Sequence, residues 1–307
     1  MKKVCVLLAA YNGSQYIIEQ IQSILSQQMV NIDLFIRLDP STDNTEVVIR
    51  KLMLVHSNIH LLTANTPSGS AGQNFFNLIR LVDTTKYDFI SFADQDDIWN
   101  LSKIHDAINL MSFSGCDGYS SNVIAFWESG YKKLIYKSSP QAEYDYLFES
   151  PGPGCTFVFT NNLFSNIKKN IEDNHEKLNL LWLHDWYCYS YARSNGYKWV
   201  IDPQPSMLYR QHLNNEVGAN SGFSSFLNRL KAMFNGTGLR YTLEQAKFIG
   251  QEGSPPIQYL HQGRLGCLKL FLISYKLRRR FLHKVFCGLY FLTLAIIGNK
   301  KNMDGYS

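Results

Sequence analysis

The chain has 307 residues, 45% of them hydrophobic, which suits one large globular domain or a domain with an appendage. Its net charge of +5 is modest, and no nucleic-acid partner is expected. Six scattered cysteines form no Cys-x-x-Cys pair, so neither a zinc site nor a disulfide framework is indicated, and reduced thiols in the cytosol are expected. No signal peptide is indicated, because Lys2-Lys3 precede an apolar run that soon turns polar.

The first half of the chain alternates apolar runs with segments of helical periodicity. Residues 4–10 are continuously apolar and predict a buried parallel strand. Residues 15–28 follow with helical spacing, and Ser14 is a plausible cap. The same alternation continues with strands at 33–39, 59–64 and 89–93 and with helices at 43–55, 72–82 and 100–112. Strands that alternate with helices predict parallel βα units on one sheet.

The second half has a different pattern. Strands are predicted at 119–127, 133–136, 154–160, 198–201 and 207–210, and an aromatic-rich helix at 178–195. From residue 222 onward the chain is predicted to be helical and amphipathic. An apolar run at 285–297 has 13 residues, fewer than the roughly 20 that span a bilayer.

Basic residues flank this last apolar run, at Arg278-Arg279-Arg280 and Lys300-Lys301. Further apolar side chains lie close by in sequence, including Phe271 and Phe281. Basic and apolar residues together favour a peripheral contact with an anionic membrane. The alternative is a core helix, since short apolar runs are common inside globular proteins.

Three carboxylates occupy four positions directly after the strand predicted at 89–93: Asp94, Asp96 and Asp97. Clustered carboxylates repel one another unless a cation joins them, and hard divalent cations prefer such oxygen ligands. A site for Mg²⁺ or Mn²⁺ and a diphosphate is one interpretation. The other is a solvated acidic turn, with Asp97 near the start of the next helix.

Polar residues also follow the first two predicted strands. Tyr11 and Asn12 follow the first strand, and Asp39 ends the second. The carboxyl ends of parallel strands face one crevice, so these residues and the acidic cluster predict a pocket for a nucleoside diphosphate. The chain has neither a P-loop nor a Gly-x-Gly-x-x-Gly sequence after its first strand. The diphosphate would then be held mainly through metal.

Three motifs together resemble the family 2 glycosyltransferases of the GT-A fold, and most of all bacterial rhamnosyltransferases of surface-polysaccharide pathways. They are Ala10-Tyr11-Asn12-Gly13 with Gln27, Asp39 with Ser41-Thr42-Asp43-Asn44-Thr45, and Asp94-Gln95-Asp96-Asp97-Ile98-Trp99. The similarity extends from about residue 3 to about residue 220. It implies an α/β fold of GT-A (Rossmann-like) type, with a central, mostly parallel sheet flanked by helices. It also implies a nucleotide-sugar donor, an inverting single displacement, and a divalent metal, Mg²⁺ or Mn²⁺.

The resemblance assigns roles to residues at matching positions. The residues expected to bind the nucleotide-sugar, with Tyr11 and Asp39 at the base, are Ala10, Tyr11, Asn12, Asp39, Asp94, Gln95 and Arg210. The metal ligands implied are Asp94, Asp96 and His212. Two alternatives stay open: His212 is an ordinary core or surface residue, and Arg210 is a structural residue. Family members often have Asp-Asp-Gly where this chain has Leu38-Asp39-Pro40, which leaves base selectivity less defined.

The segment Trp182-Leu183-His184-Asp185-Trp186 matches the part of the family that holds the catalytic base. Asp185 is the matching acid, expected to take the proton of the acceptor hydroxyl. The alternatives are that Asp185 only stabilises a helix N-terminus, and that His184 is the base. Gly152 and Gly154 match a glycine-rich loop near the acceptor, or form a simple turn. The acceptor side is expected to comprise Gly154, His184 and Trp186, although aromatic residues at helical spacing are commonly core.

We therefore expect a GT-A domain at 1–220 and a helical, membrane-associating extension at 221–307. The expected reaction moves a sugar such as rhamnose from a dTDP- or UDP-sugar to a lipid-linked or oligosaccharide acceptor. The expected setting is the cytoplasmic face of the cell membrane, in O-antigen or capsule biosynthesis. The alternatives are a sugar-phosphate nucleotidyltransferase and a non-catalytic protein that binds nucleotide-sugars.

Overall fold

The computed structural model describes residues 1–212 and 236–297. These residues form two units. The first comprises 1–138, 151–179 and 183–212, and the second comprises 139–150, 180–182 and 236–297. The predicted boundary between residues 220 and 221 and the predicted basic pair Lys300-Lys301 lie outside the described residues.

A seven-stranded sheet, in the order β10-β6-β9-β4-β1-β2-β3, forms the centre of the first unit. β1 is parallel to β2 and β4, and β2 is parallel to β3, whereas β9 is antiparallel to β4 and β6. The strands are β1 (Lys2–Ala10), β2 (Val30–Leu38), β3 (Ile59–Thr63), β4 (Phe89–Ala93), β6 (Gly118–Ser121), β9 (Val158–Thr160) and β10 (Trp199–Asp202). The mostly parallel sheet confirms the predicted α/β class.

The middle strands are buried on both faces, as a parallel sheet between helices requires. All five residues of β4 and the last seven of β1 are buried. The helices of the first unit are α1 (Ile17–Leu25), α2 (Thr45–Met53), α3 (Ala71–Leu81), α4 (Lys103–Ser114), α5 (Asn161–Asp173) and α6 (His184–Ser194). α1 buries Ile17, Ile21 and Ile24, which recur at helical spacing and join the core.

Three details of the helices differ from the sequence-based expectation. The N-cap of α1 is Tyr16 and not Ser14, whose backbone N–H instead donates to Asp43 Oδ2 at 3.0 Å. α5 was not predicted, and it begins after Thr160, whose side chain accepts the Leu163 N–H as a cap. The segment predicted as one helix at 178–195 is a 3₁₀ helix at His175–Leu180 followed by α6.

A second sheet of four strands, in the order β5-β11-β7-β8, lies in the same unit. Its strands are β5 (Ile98–Trp99), β7 (Val123–Trp127), β8 (Lys132–Ile135) and β11 (Met207–Gln211). The strand predicted at 119–127 is divided at Asn122, because β6 belongs to the first sheet and β7 to the second. β5 and β11 pair antiparallel, which places β11 directly beside the acidic segment that follows β4.

Helices form most of the described part of the second unit, as predicted for the C-terminal region. They are α7 (Thr237–Phe248), α8 (Pro255–Leu260), α9 (Gly263–Leu272), α10 (Ser274–Leu277) and α11 (Phe281–Ile297). Among the described residues, no helix is both long enough and apolar enough to cross a membrane.

The predicted basic run at 278–280 is only partly available at the surface. Arg279 is buried and donates to Asp145 Oδ2 at 2.9 Å and to the Ser150 carbonyl oxygen at 2.6 Å, while its backbone N–H donates to Glu149 Oε1 at 2.6 Å. Arg278 lies 3.9 Å from Glu149. Burial raises the pKa of Glu149, but the cationic neighbours and hydrogen bonds outweigh it and lower this pKa to about 2. The acids of segment 143–150 therefore offset much of the positive charge that the sequence suggested.

Candidate functional site

The residues predicted after β1, β2 and β4 meet at one edge of the sheet. Since these strands are parallel, their carboxyl ends, at Ala10, Leu38 and Ala93, are neighbours. The backbone N–H of Asp39 donates to the Ala10 carbonyl oxygen at 2.9 Å, so the pairing of β1 and β2 continues to the rim. This edge is the candidate site.

Gln95 joins the loop after β4 to the loop after β1. Its Oε1 accepts the Tyr11 N–H at 2.9 Å, and its Nε2 donates to the Tyr11 carbonyl oxygen at 2.9 Å. A Cβ atom at Gly13 would lie 2.3 Å from Gln95 Oε1, so any larger residue there would displace the Gln95 amide. The Tyr11 side chain is 54% exposed. The backbone of Tyr11 is thus fixed while its ring stays open to a ligand.

The polar motif after β2 also hydrogen-bonds to the loop that follows β1. Asn12 has a φ of 45°, a left-handed conformation that asparagine tolerates, and its Oδ1 accepts the Thr42 N–H at 2.8 Å. Its backbone N–H donates to Ser41 Oγ at 3.0 Å. Burial raises the pKa of Asp43, but hydrogen bonds from Thr45 and Ser14 outweigh this and lower it to about 2. Residues 41–45 therefore shape the rim and order Asn12.

Asp39 is buried, and both of its carboxylate oxygens have protein partners. Oδ1 accepts from Arg37 Nη1 at 2.7 Å and from Ser68 Oγ at 2.8 Å, while Oδ2 accepts the Ser68 N–H at 2.8 Å. Arg37 Nη1 also donates to Asn74 Oδ1 at 2.8 Å. The carboxylate predicted to meet a base is therefore part of a network that fixes the loop between β3 and α3.

The acidic segment after β4 is held by β11. His212 Nε2 lies 2.7 Å from Asp96 Oδ2, so the structure brings together two of the three predicted metal ligands. The backbone N–H of Arg210 donates to Asp97 Oδ1 at 3.0 Å, and Arg210 Nε donates to the Asp96 carbonyl oxygen at 2.8 Å. Asp97 is fully buried, which rules out the solvated turn considered from the sequence.

The Arg210 side chain is only 10% exposed, and its described contacts are with protein groups. It forms an ion pair with Glu19, and its guanidinium lies 4.5 Å from the ring centroids of both Tyr16 and Phe126. These contacts agree with the structural role considered for Arg210, and its contact with the nucleotide-sugar stays a prediction. Sequence reasoning missed Glu19 and Tyr16, since nothing in the helical pattern of α1 marks them.

A buried polar cluster of Asp97, Cys155 and Lys103 lies beneath the acidic segment. Burial is the main cause of three pKa shifts: the pKa values of Asp97 and of the Cys155 thiol are raised well above their usual values, and that of Lys103 is lowered to about 7. Lys103 Nζ lies 3.6 Å from the Trp99 ring centroid and 3.5 Å from Ser91 Oγ. These groups support the acidic segment from inside the protein.

Among the described residues, one group of three side chains brings candidate metal-ligand atoms close together. Possible ligand atoms of Asp94, Asp97 and Cys155 lie within 4.8 Å of one another. Burial raises the pKa of Asp97 and of the Cys155 thiol, which disfavours the anionic forms that bind metals, and sulfur is a soft ligand that hard cations do not prefer. Asp94, Asp96 and His212, the ligands that the resemblance implies, offer carboxylate oxygens and one imidazole nitrogen, which are donor types that suit Mg²⁺ or Mn²⁺. Of these three, the structure brings Asp96 and His212 into contact. In the donor atoms that they offer, the predicted ligands therefore fit a divalent metal.

Asp185 lies in the first turn of α6 and is half-buried. Its Oδ1 lies 2.5 Å from the backbone nitrogen of Trp186, which donates to it. The N-terminal turn of a helix favours a negatively charged side chain. This position therefore suits a carboxylate that stabilises the helix start, and the role of Asp185 as a base stays a prediction.

His184 and Trp186 are both buried, at 8% and 6% exposure. The His184 ring stacks on Phe75 at a centroid distance of 3.9 Å, and neither ring nitrogen has a hydrogen-bond partner among the described residues. Burial lowers the pKa of His184 to about 3. The burial and the lowered pKa argue against His184 as the alternative base, while the acceptor-side role of His184 and Trp186 stays a prediction.

Gly154 packs directly against the start of α6. A Cβ atom at this position would lie 2.7 Å from His184 Nε2 and 3.1 Å from Asp185 Cβ. Gly154 begins a 3₁₀ helix, Gly154–Thr156, where the sequence predicted the start of a strand. The glycine is thus required for close approach to the segment that holds Asp185.

Comparison with known proteins gives a consistent result. The sequence profile of Glycosyl transferase family 2 matches residues 5–218. A dTDP-rhamnosyl transferase, RfbG of Shigella flexneri, is 42% identical over 280 residues, which cover 91% of this chain and 96% of that protein. WfgD of Escherichia coli, a UDP-Glc:alpha-D-GlcNAc-diphosphoundecaprenol beta-1,3-glucosyltransferase, is 30% identical over 173 residues, or 53% of this chain and 62% of that protein.

Among solved structures, Staphylococcus aureus TarS 1–349 in complex with UDP superposes with a TM-score of 0.54 at 15% identity. The match covers 95% of this chain and 90% of that one. At this identity the likeness bears on the fold alone, and it confirms the predicted GT-A arrangement.

Proposed function

The chain belongs to glycosyl transferase family 2, and from that premise we propose that it moves a rhamnosyl residue from dTDP-rhamnose to a saccharide acceptor. It is a glycosyltransferase of polysaccharide biosynthesis that uses a nucleotide-sugar. One observation above all supports the rhamnosyl donor: the 42% identity to a dTDP-rhamnosyl transferase extends over nearly the whole of both chains.

On the donor side, we propose that the exposed Tyr11 ring stacks on the base and that the Asp39 network shapes the edge of the base pocket. The ring is open while its backbone is fixed by Gln95, so little ordering is needed when a base binds. Asn12, held by Ser41 and Thr42, lies on the same rim. The pocket is thus largely formed before the nucleotide arrives.

Asp94, Asp96 and His212 would hold the divalent metal that GT-A enzymes generally use. When bound, such a cation neutralises the charge that develops on the leaving diphosphate. The buried cluster of Asp97, Cys155 and Lys103 keeps the acidic segment in place.

Asp185 is proposed to take the proton of the acceptor hydroxyl as its oxygen attacks the anomeric carbon. One carboxylate oxygen already accepts the Trp186 N–H, which fixes the orientation of the side chain. Since one displacement forms the new bond and breaks the old one, the anomeric configuration is inverted. The buried Gly154 and His184 pack against each other and set the position of the first turn of α6.

A transfer assay with purified protein tests this proposal. The donors are dTDP-rhamnose, UDP-glucose and UDP-N-acetylglucosamine, each with Mn²⁺ and an extract of lipid-linked saccharides, and the readout is release of the nucleoside diphosphate. We expect acceptor-dependent release of dTDP, abolished by EDTA and by Asp96→Ala. Asp173→Ala, at an exposed position in the last turn of α5, is the matched control.

Each other outcome has a distinct meaning. Release of UDP alone would contradict the rhamnosyl donor. Binding of nucleotide-sugars without any release would favour the non-catalytic alternative. Release of pyrophosphate from dTTP and rhamnose 1-phosphate would favour a nucleotidyltransferase. Full activity in EDTA would contradict the metal role.

We also propose that the acceptor is lipid-linked and that the second unit binds the inner face of the cell membrane without spanning it. α9 and α11 expose apolar side chains at helical spacing: Leu265, Leu268, Leu272, Phe281, Leu282, Val285, Phe286, Leu289, Ile296 and Ile297. Such spacing places apolar residues on one face of a helix. Because Arg279 is buried, apolar contact contributes more to this binding than the basic run does.

Liposome sedimentation of the full chain tests the membrane contact. Removal of 276–307 would leave Asp145 buried without Arg279, so single substitutions are the better variants. We expect Phe286→Asp to weaken binding to anionic vesicles and to retain transfer to a soluble acceptor. Leu54→Asp, at an exposed apolar residue in the first unit, should bind as the wild type does. A wild-type protein that does not sediment with vesicles would contradict the proposal.

A further inference from the structure

We propose that Arg210 is a positioning residue for the metal site. Held between Tyr16, Phe126 and Glu19, it fixes Asp96 and His212 in the arrangement that a divalent cation needs. The inference rests on the proposed function, since it concerns the same site, but it assigns to Arg210 a role that does not involve contact with the nucleotide.

Four groups define the position of the Arg210 side chain. Its guanidinium lies between two aromatic rings, 4.5 Å from the centroids of Tyr16 and Phe126, and it pairs with Glu19 at one edge. Its Nε donates to the carbonyl oxygen of Asp96 at 2.8 Å. A planar guanidinium can fill a slot between two rings and still donate along both edges, which a lysine ammonium cannot.

The backbone of Arg210 is fixed as well. Its N–H donates to the buried Asp97 at 3.0 Å, and β11 pairs with both β5 and β7. His212 is two residues further along the chain, so its position follows from that of β11. The Tyr16 ring, which covers the guanidinium, also stacks on the His212 ring at a centroid distance of 5.3 Å.

Tyr16 thus contacts both the arginine and the histidine, and its own hydroxyl donates to Glu128 Oε1 at 2.9 Å. The first helix, the acidic segment and the last strand of the first unit therefore meet around one guanidinium. Outer residues that orient metal ligands commonly change metal affinity by about 10–100-fold when they are replaced. We expect an effect of that size for Arg210.

The experiment measures the affinity for dTDP in EDTA and at saturating Mn²⁺ by calorimetry, with thermal unfolding recorded in parallel. The ratio of the two affinities reports the contribution of the metal without any need for turnover. For Arg210→Lys we expect unchanged affinity in EDTA and a loss of about 10–100-fold in the gain that Mn²⁺ confers. Glu19→Gln should reduce this gain by a smaller factor.

Arg193→Lys is the matched control, because Arg193 also contacts a tyrosine, Tyr189, but lies on α6 away from the acidic segment. It should leave both affinities unchanged. The inference is overturned if Arg210→Lys keeps the full Mn²⁺ gain, or if it weakens dTDP binding equally in EDTA, as direct contact with the nucleotide would. A wild-type protein that shows no Mn²⁺ gain would instead overturn the metal role itself.

Discussion

The proposed donor side and the proposed acceptor side of the candidate site are held together in different ways. On the donor side, side chains such as Gln95 and Asn12 hydrogen-bond to the backbone of neighbouring loops, and nearly every turn at the rim is tied to another. On the acceptor side, Asp185 lies on a helix start that packs through Gly154 and the His184 ring. Polar bonds define the first region, and close packing defines the second.

This difference predicts how each side responds to substitution. A lost hydrogen bond changes the affinity for the ligand that the loop was shaped to bind, while a packing change shifts a whole backbone segment. Donor-side variants should therefore alter donor binding, whereas acceptor-side variants should alter kcat. The following predictions test that contrast, from the largest expected effect to the smallest.

Asp185→Asn is expected to lower kcat by about 10²–10⁴-fold, because a general base typically contributes that much. Donor affinity, measured by calorimetry, should stay unchanged, since Asp185 lies on the acceptor side. Asp173→Asn serves as a control for an exposed aspartate on another helix. A loss of donor binding in proportion to kcat would show that Asp185 has a structural role instead.

Asp39→Asn is expected to raise the donor KM far more than the acceptor KM. The charge-assisted hydrogen bonds of the carboxylate contribute about 1.5–3 kcal/mol, which corresponds to roughly a 10–150-fold change. Ser68→Ala removes one partner of Asp39 and should have a smaller effect in the same direction. Equal increases in both KM values would contradict the proposed role of Asp39 in base recognition.

Gly154→Ala is expected to lower kcat by about tenfold, since a Cβ atom 2.7 Å from His184 Nε2 forces the start of α6 to move. His184→Ala should open space for that atom, so the double variant should be more active than Gly154→Ala alone. Donor affinity measured by calorimetry should be unchanged in all three proteins. If the double variant is instead the least active, the proposed steric coupling between positions 154 and 184 is contradicted.

His184→Leu is expected to change how stability depends on pH. Above pH 6.5 the imidazole is neutral in both states, but below it the unfolded chain binds a proton that the folded state, with a pKa of about 3, does not. The free energy of unfolding of the wild type should therefore fall by up to about 1.4 kcal/mol per pH unit from this group.

The leucine variant lacks this dependence. On acidification from pH 7 to pH 5 it should lose about 2 kcal/mol less than the wild type does. Urea unfolding at both pH values measures the difference. An identical loss in the two proteins would mean that His184 is protonated in the folded state, and so is not the neutral packed ring described above.

The same contrast explains what could be read from the sequence. The bounds of β4 were predicted correctly because five consecutive buried residues end abruptly in acids. The proximity of Asp96 and His212 was anticipated by family resemblance, and so was a functional motif at 41–45. All of these are local signals or ones shared by many sequences.

Partners that are distant in sequence could not be predicted in this way. Glu19 and Arg210 are 191 residues apart, and an ordinary exposed glutamate on a helix gives no sign of its partner. The network of Arg37, Asp39 and Ser68 depends on where the loop after β3 folds back. His184 was kept as an alternative base to Asp185, since its burial against Phe75 is a property of packing that one sequence does not display.

The buried pair of Arg279 and Asp145 has a consequence for how the chain is made. The two residues are 134 positions apart, and segment 139–150 is synthesised long before the helices that receive it. At a synthesis rate of about 5–20 residues per second, Arg279 is added to the chain roughly 7–27 s after Asp145. Until then its carboxylate remains hydrated and the segment around it lacks a final position. A nascent chain that stops short of Arg279 would therefore present this segment unburied to chaperones and proteases.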